Sequence, residues 1–147
     1  MSWWKRILAG DDETLAPRRL DYLNEGLALE RQGDFEGAVT SYQLALRDQP
    51  HNVKVLQYIA IALSKTGRVE EAVRHYRRAL ELDPALAGAH YGLAFLMLRR
   101  GDETRAVHHL REFLARPPRD AEMERWVHHA RETLGRLERQ PAEEGSA

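Results

Sequence analysis

Three glycines and three prolines set the register of this chain: Gly33, Gly67 and Gly101 stand 34 residues apart, and Pro50, Pro84 and Pro118 keep the same interval. A repeat of that length holds one supersecondary unit and no self-sufficient core, so the fold must arise from copies stacked side by side. Other positions obey the same register. Ala38, Ala72 and Ala106 lie five residues past each glycine, followed by Tyr42, Tyr76 and Leu110, and then by Ala45, Ala79 and Phe113. The units run 19–52, 53–86 and 87–120, leaving a leader over 1–18 and a terminal segment from 121 onward.

Each unit reads as two helices joined at its glycine. In the second, Leu56, Ile59, Ala60 and Leu63 recur at helical spacing, Thr66-Gly67-Arg68 interrupts, and Val69, Ala72, Val73, Tyr76, Ala79 and Leu80 resume it. Composition agrees: Ala and Leu supply 39 residues against 15 for Val, Ile and Thr, a bias toward helix formers. Glycine ends a helix in the left-handed conformation without a Cβ clash, and Asp34 and Asp102 follow as N-caps for the second helix. The prolines stop that helix, because the residue before a proline avoids helical geometry and proline itself donates no hydrogen bond. The alanines have the size needed where helices approach closest, with Tyr42 and Tyr76 filling the volume beside them.

This pattern resembles the tetratricopeptide repeat. The first unit carries Tyr22, Gly26, Leu29, Ala38, Tyr42, Ala45 and Pro50 at motif positions, with Glu25 where an apolar residue is usual. The second carries Leu56, Ile59, Ala60, Leu63, Ala72, Tyr76, Ala79 and Pro84. The third keeps Leu93, Ala94, Met97, Ala106 and Pro118, but has His90 for a bulky apolar residue, Leu110 for the aromatic and Phe113 for a small one. The resemblance implies an all-α fold: a right-handed superhelical solenoid of three hairpins closed by a capping helix. Residues 121–139 suit the cap, since Asp120, Glu122 and Glu124 make an acidic start and Met123, Val127, Ala130, Leu134 and Leu137 form one apolar stripe. Residues 140–147 have nothing to bury and read as a flexible tail.

The chemistry of catalysis is thinly represented. There is no Cys, none of the four Ser lies in a nucleophile-elbow context, and neither an H-E-x-x-H motif nor a phosphate-cradling glycine loop occurs, so no enzymatic activity, metal or cofactor is expected. Twenty-two basic against 23 acidic side chains give no drive toward a phosphate backbone, so nucleic acid is not an expected partner. His-His-x-x-Glu occurs twice, as His108, His109 and Glu112 and as His128, His129 and Glu132. His and Glu four apart share a helix face, but neighbouring histidines point about 100° apart, so surface ion pairs are expected rather than one metal site.

The resemblance places ligands on the concave face lined by the first helix of each unit, and implies a protein partner that offers a peptide or helical segment. The corresponding positions are Leu20, Leu23, Asn24, Leu27, Glu30 and Arg31, then Lys54, Gln57, Tyr58, Ile61, Ser64 and Lys65, then Gly88, Tyr91, Gly92, Phe95, Leu98 and Arg99. Leu23, Leu27, Ile61, Tyr91, Phe95 and Leu98 are hydrophobes that the hairpin does not require, and surplus apolar surface marks interaction sites. The Lys and Asn clamp that relatives use on acidic chaperone tails is missing, its places being taken by Leu23, Leu27, Tyr58, Gly88 and Gly92. Arg31, Lys65 and Arg99 repeat at intervals of 34. Each is accounted for by the negative end of its helix dipole, and together they would also form a basic edge that attracts acidic residues.

The leader places Trp3, Trp4, Ile7 and Leu8 at helical spacing beside Lys5 and Arg6. Its apolar stretch is too short and too charged for a signal peptide, and it is suited to a membrane surface, a partner, or the chain's own first hairpin or groove. The expected function is a non-enzymatic adaptor or scaffold that binds an apolar or amphipathic segment, with the cytoplasm as its location for want of an export signal. The alternative is a homo-oligomer that uses the same apolar surface and the tryptophan leader.

Overall fold

The computed structural model describes residues 21–144, with side chains to 139. Seven α-helices follow one another among the described residues: α1 Tyr22–Arg31, α2 Phe35–Asp48, α3 Val53–Lys65, α4 Val69–Leu82, α5 Ala87–Arg99, α6 Glu103–Ala115 and, after a short 3-10 turn Ala121–Met123, α7 Glu124–Glu144. Each packs on the next, and α3 also touches α5, so the arrangement is a solenoid of neighbour contacts. None of these helices is long and apolar enough to cross a membrane.

The turns repeat the same chemistry three times. Gly33, Gly67 and Gly101 have φ of 82°, 82° and 80°, a region that side chains rarely adopt. The N–H after each glycine donates to the carbonyl five residues back: Asp34 to Leu29 at 2.8 Å, Arg68 to Leu63 at 2.9 Å and Asp102 to Met97 at 2.9 Å. This closure satisfies carbonyls that a helix end would leave bare. Asp34 and Asp102 then accept from Gly37 N–H at 2.9 Å and Arg105 N–H at 3.1 Å, as N-caps do. Arg68 holds that place in the second unit without a capping bond and instead pairs with Glu36 and Glu71.

Two clusters form the core. The larger runs from Ala38 through Ile59, Leu63, Ala72 and Leu93 to Ala106. The smaller joins the third hairpin to α7 through Ala94, Leu110, Phe113, Val127, Ala130 and Leu137. Phe113, a large residue at a small-residue position, is 1% exposed there, because the face it fills lies against the cap rather than against another hairpin. Thr133 also lies inside the cap stripe, its hydroxyl donating to His129 O at 2.8 Å. The α7 backbone runs to Glu144, past 139 where a tail is expected.

Candidate functional site

Helical spacing delivers one stripe of α3 and one of α5 to a common trough. On α3 these are Gln57, Ile61, Ser64 and Lys65; on α5 they are Gly88, Tyr91, Gly92, Phe95 and Arg99. The start of the cap supplies a third wall with Met123 and Trp126, and Tyr76 and Leu96 lie at the base. The cleft encloses about 460 Å³. No Asp or Glu lines it, whereas Lys65 and Arg99 both do.

Aromatic packing shapes the cap side. Tyr91 sits at the hub, 4.7 Å from Phe95, 5.2 Å from Phe113 and 5.3 Å from Trp126 between ring centroids, the last at 80°. His129 stacks on Phe95 at 4.9 Å and 12°. Edge-to-face and offset contacts of this kind add to burial and hold the rings in place. Burial pushes the Tyr91 phenol above its ordinary range. Trp126 remains 37% exposed at the mouth. Tyr91 and Phe95 are thus partly covered by the cap yet still present an edge to the cleft.

The cations are held by the preceding repeat. Arg99 donates from Nη1 to the Ser64 carbonyl at 3.2 Å, and Lys65 Nζ stands 5.6 Å from the centre of the Phe35 ring. All three repeated cations occupy the last turn of their helices, the position the dipole favours, and Arg31 is exposed there. Beside Lys65, burial raises the Glu30 carboxyl, partly offset by the Tyr42 hydroxyl and the Lys65 charge. Glu30 Oε1 and Tyr42 OH nevertheless stop short of a full hydrogen bond.

Of the residues expected on the concave face, Gln57, Ile61, Lys65, Tyr91, Phe95 and Arg99 come together around this cleft. Leu23, Leu27 and Leu98 are partly buried against core clusters and lie outside its lining. Tyr58 stacks on Tyr42 at 5.7 Å and 22°, so its ring is committed to the first hairpin. Asn24 bonds Asp21, and Lys54 is exposed at the start of α3. Leu20, Trp3, Trp4, Ile7 and Leu8 fall outside the described residues. Sequence reasoning missed Tyr76, Leu96, Met123 and Trp126 as cleft residues. The 34-residue register does not extend to the cap, so only the unexplained bulk of Trp126 beside the Met123 stripe hinted at a wall there.

The histidine doublets split as the helix angle requires. His128 pairs with exposed Glu132 at 3.1 Å, while its neighbour His129 turns to Phe95. His109 turns inward to His90. Among the described residues no group of three or more His, Asp or Glu side chains is placed to hold a metal ion.

The sequence matches the family described as Tetratricopeptide repeat over residues 22–52 and the one described as TPR repeat over 62–101. Among solved structures, the MamA protein aligns with a TM-score of 0.67 at 23% identity over 79% of this chain, which spans only 60% of that one. The first TPR of Spaghetti (RPAP3), bound to the HSP90 peptide SRMEEVD, gives 0.72 at 17% identity and covers 84% of this chain and 93% of its own. The TPR2B-domain:pHsp70 complex of yeast Sti1 gives 0.70 at 20% identity, with coverages of 82% and 95%. At such identities the likeness is one of fold. No curated protein matches the chain.

Proposed function

Since this chain belongs to the tetratricopeptide-repeat family, we propose that it is a non-enzymatic adaptor whose cleft between α3, α5 and the start of α7 receives an amphipathic segment of a partner protein. The observation that carries this reading is an apolar floor of Ile61, Tyr91, Phe95 and Trp126 bordered by Lys65 and Arg99, without a carboxylate among the lining residues. That combination favours an aliphatic or aromatic anchor flanked by Asp or Glu. Burying one such anchor contributes about 1.5–3 kcal/mol, and flanking carboxylates add encounter rate and register. Of the fold neighbours, the first TPR of Spaghetti (RPAP3) is bound to an HSP90 peptide and the TPR2B-domain of yeast Sti1 is in a pHsp70 complex. The places of the clamp used for acidic chaperone tails are Leu23, Leu27, Tyr58, Gly88 and Gly92 here, which points to a different class of segment.

A panel of twelve-residue peptides with a central Leu or Trp, flanked by Glu in one set and Lys in the other, tests the reading by fluorescence anisotropy. Glu-flanked peptides should bind preferentially, and Ile61→Asp or Phe95→Asp should weaken them by about tenfold or more. Equal binding of both sets, or of the variants, refutes it. Light scattering on the same samples separates the rival outcome: mass that grows with concentration and is abolished by Phe95→Asp assigns the surface to a second copy of the chain.

A further inference from the structure

His90 on α5 and His109 on α6 meet across the third hairpin. Their Nδ1 atoms are 3.2 Å apart, with ring centroids separated by 5.5 Å and inclined at 37°. His90 is buried, and its Nε2 lies 3.0 Å from the Pro84 carbonyl oxygen. A carbonyl only accepts, so His90 Nε2 carries the hydrogen; a neutral imidazole has only one, so its Nδ1 is bare. His109 Nδ1 must then be the donor, which leaves His109 Nε2 as the free acceptor. The result is a directed relay from His109 Nδ1–H to His90 Nδ1, and from His90 Nε2–H to the Pro84 carbonyl. It ties α6 to α5 and both to the segment entering α5.

We propose that this two-histidine relay is an acid-released latch of the third hairpin. The first added proton has one place to go, the outer nitrogen of His109. That leaves the relay intact but puts a cation in a half-buried position facing His90 on α5, His108 on its own helix and Arg77 on α4, with only Glu112 to favour it. Asp83 and Arg116 border the depression that His90 and Glu112 line, one of each sign. Burial first, and then the neighbouring His90, His108 and Arg77, depress the His109 ionisation to about 4. The relay itself holds only while one of the two facing Nδ1 atoms is bare, since a hydrogen on both would set two N–H groups against each other.

An unfolded histidine takes its proton near pH 6.5, so between about 6.5 and 4 the unfolded chain binds more protons than the folded one. The contribution of His109 is therefore complete above that window, declines as pH falls through it, and does not change further below about 4. The unfolding constant should rise by at most tenfold per pH unit from this group. Tyr91, Phe95 and Arg99 lie on the same helix as His90, so loosening α5 also loosens a cleft wall; this consequence rests on the proposed function, whereas the latch does not.

Urea unfolding of the full chain between pH 7.5 and 4.5, compared with His109→Asn, tests it, because Asn keeps a donor near the Nδ1 position and does not titrate. The wild-type curve should fall more steeply with acid than the variant's. A nitrogen-15 titration of the wild-type ring should place the His109 midpoint far below that of an ordinary histidine, with the hydrogen on Nδ1 at neutral pH. Parallel stability curves, a midpoint near 6.5, or a bare Nδ1 at neutral pH overturns the latch. None of these readouts needs a peptide, so failure of the peptide panel leaves them standing.

Discussion

Replacing Gly26 by alanine sets two ordinary effects against each other. In a helix interior the change gains about 1 kcal/mol from backbone entropy alone. Gly135 in α7 is that simple case: an added Cβ would meet nothing nearer than Arg139 Nη2 at 3.7 Å. At Gly26 the Cβ would stand 2.3 Å from Tyr42 Cε1 and 2.5 Å from Cδ1, inside any allowed contact. Tyr42 has 0% exposure and its ring is stacked on Tyr58, so it has no free space to retreat into. Overpacking costs about 1–3 kcal/mol, and so close an approach belongs at the upper end, which leaves a net loss of about 2 kcal/mol after the helix gain. For a chain of this size that is a fall in Tm of roughly 5–10 °C, against a small rise for Gly135→Ala. Thermal and urea unfolding followed by helical circular dichroism, run side by side on the full chain and both variants, measures the two signs. A Gly26→Ala protein as stable as Gly135→Ala would refute the account of close helix approach around Tyr42.

Asp102→Ala removes the side chain that accepts from Arg105 N–H and should cost about 1 kcal/mol in urea unfolding, as lost caps generally do. Lys65→Gln combined with Arg99→Gln should weaken Glu-flanked peptides and flatten the salt dependence of their binding; an unchanged slope would leave the cations with the helix-end role alone.

Much of the fold was legible because the register repeats every local instruction. Glycine, aspartate and proline fix the turns and stops residue by residue, and the structure returns the same five-back hydrogen bond at each of the three turns. The α3 and α5 positions expected in the groove came from the family resemblance, carried over in the same register. What escaped depends on contacts between segments that no register relates. Tyr58 was expected in the groove, but its ring is taken up by Tyr42 on α2. Trp126 becomes a wall only because Tyr91 meets it edge to face. His90 and His109 each look like local departures from a pattern; their pairing depends on two substitutions 19 residues apart falling opposite one another.

The division of the core into two clusters gives the cleft a mechanical meaning. Ile61, Tyr76 and Leu96 belong to the larger cluster, while Tyr91 and Phe95 pack against the smaller one, so the trough lies along the seam where two semi-independent masses adjoin. The third hairpin and its cap share the smaller cluster, and a smaller mass of contacts opens locally at lower cost. A partner segment of the proposed kind lying across the seam would grip both sides at once and work as a rivet. Amide exchange in α5 through α7 should then slow on binding more than exchange in α1 and α2, making the occupancy of the groove visible as cohesion between the two ends of the chain.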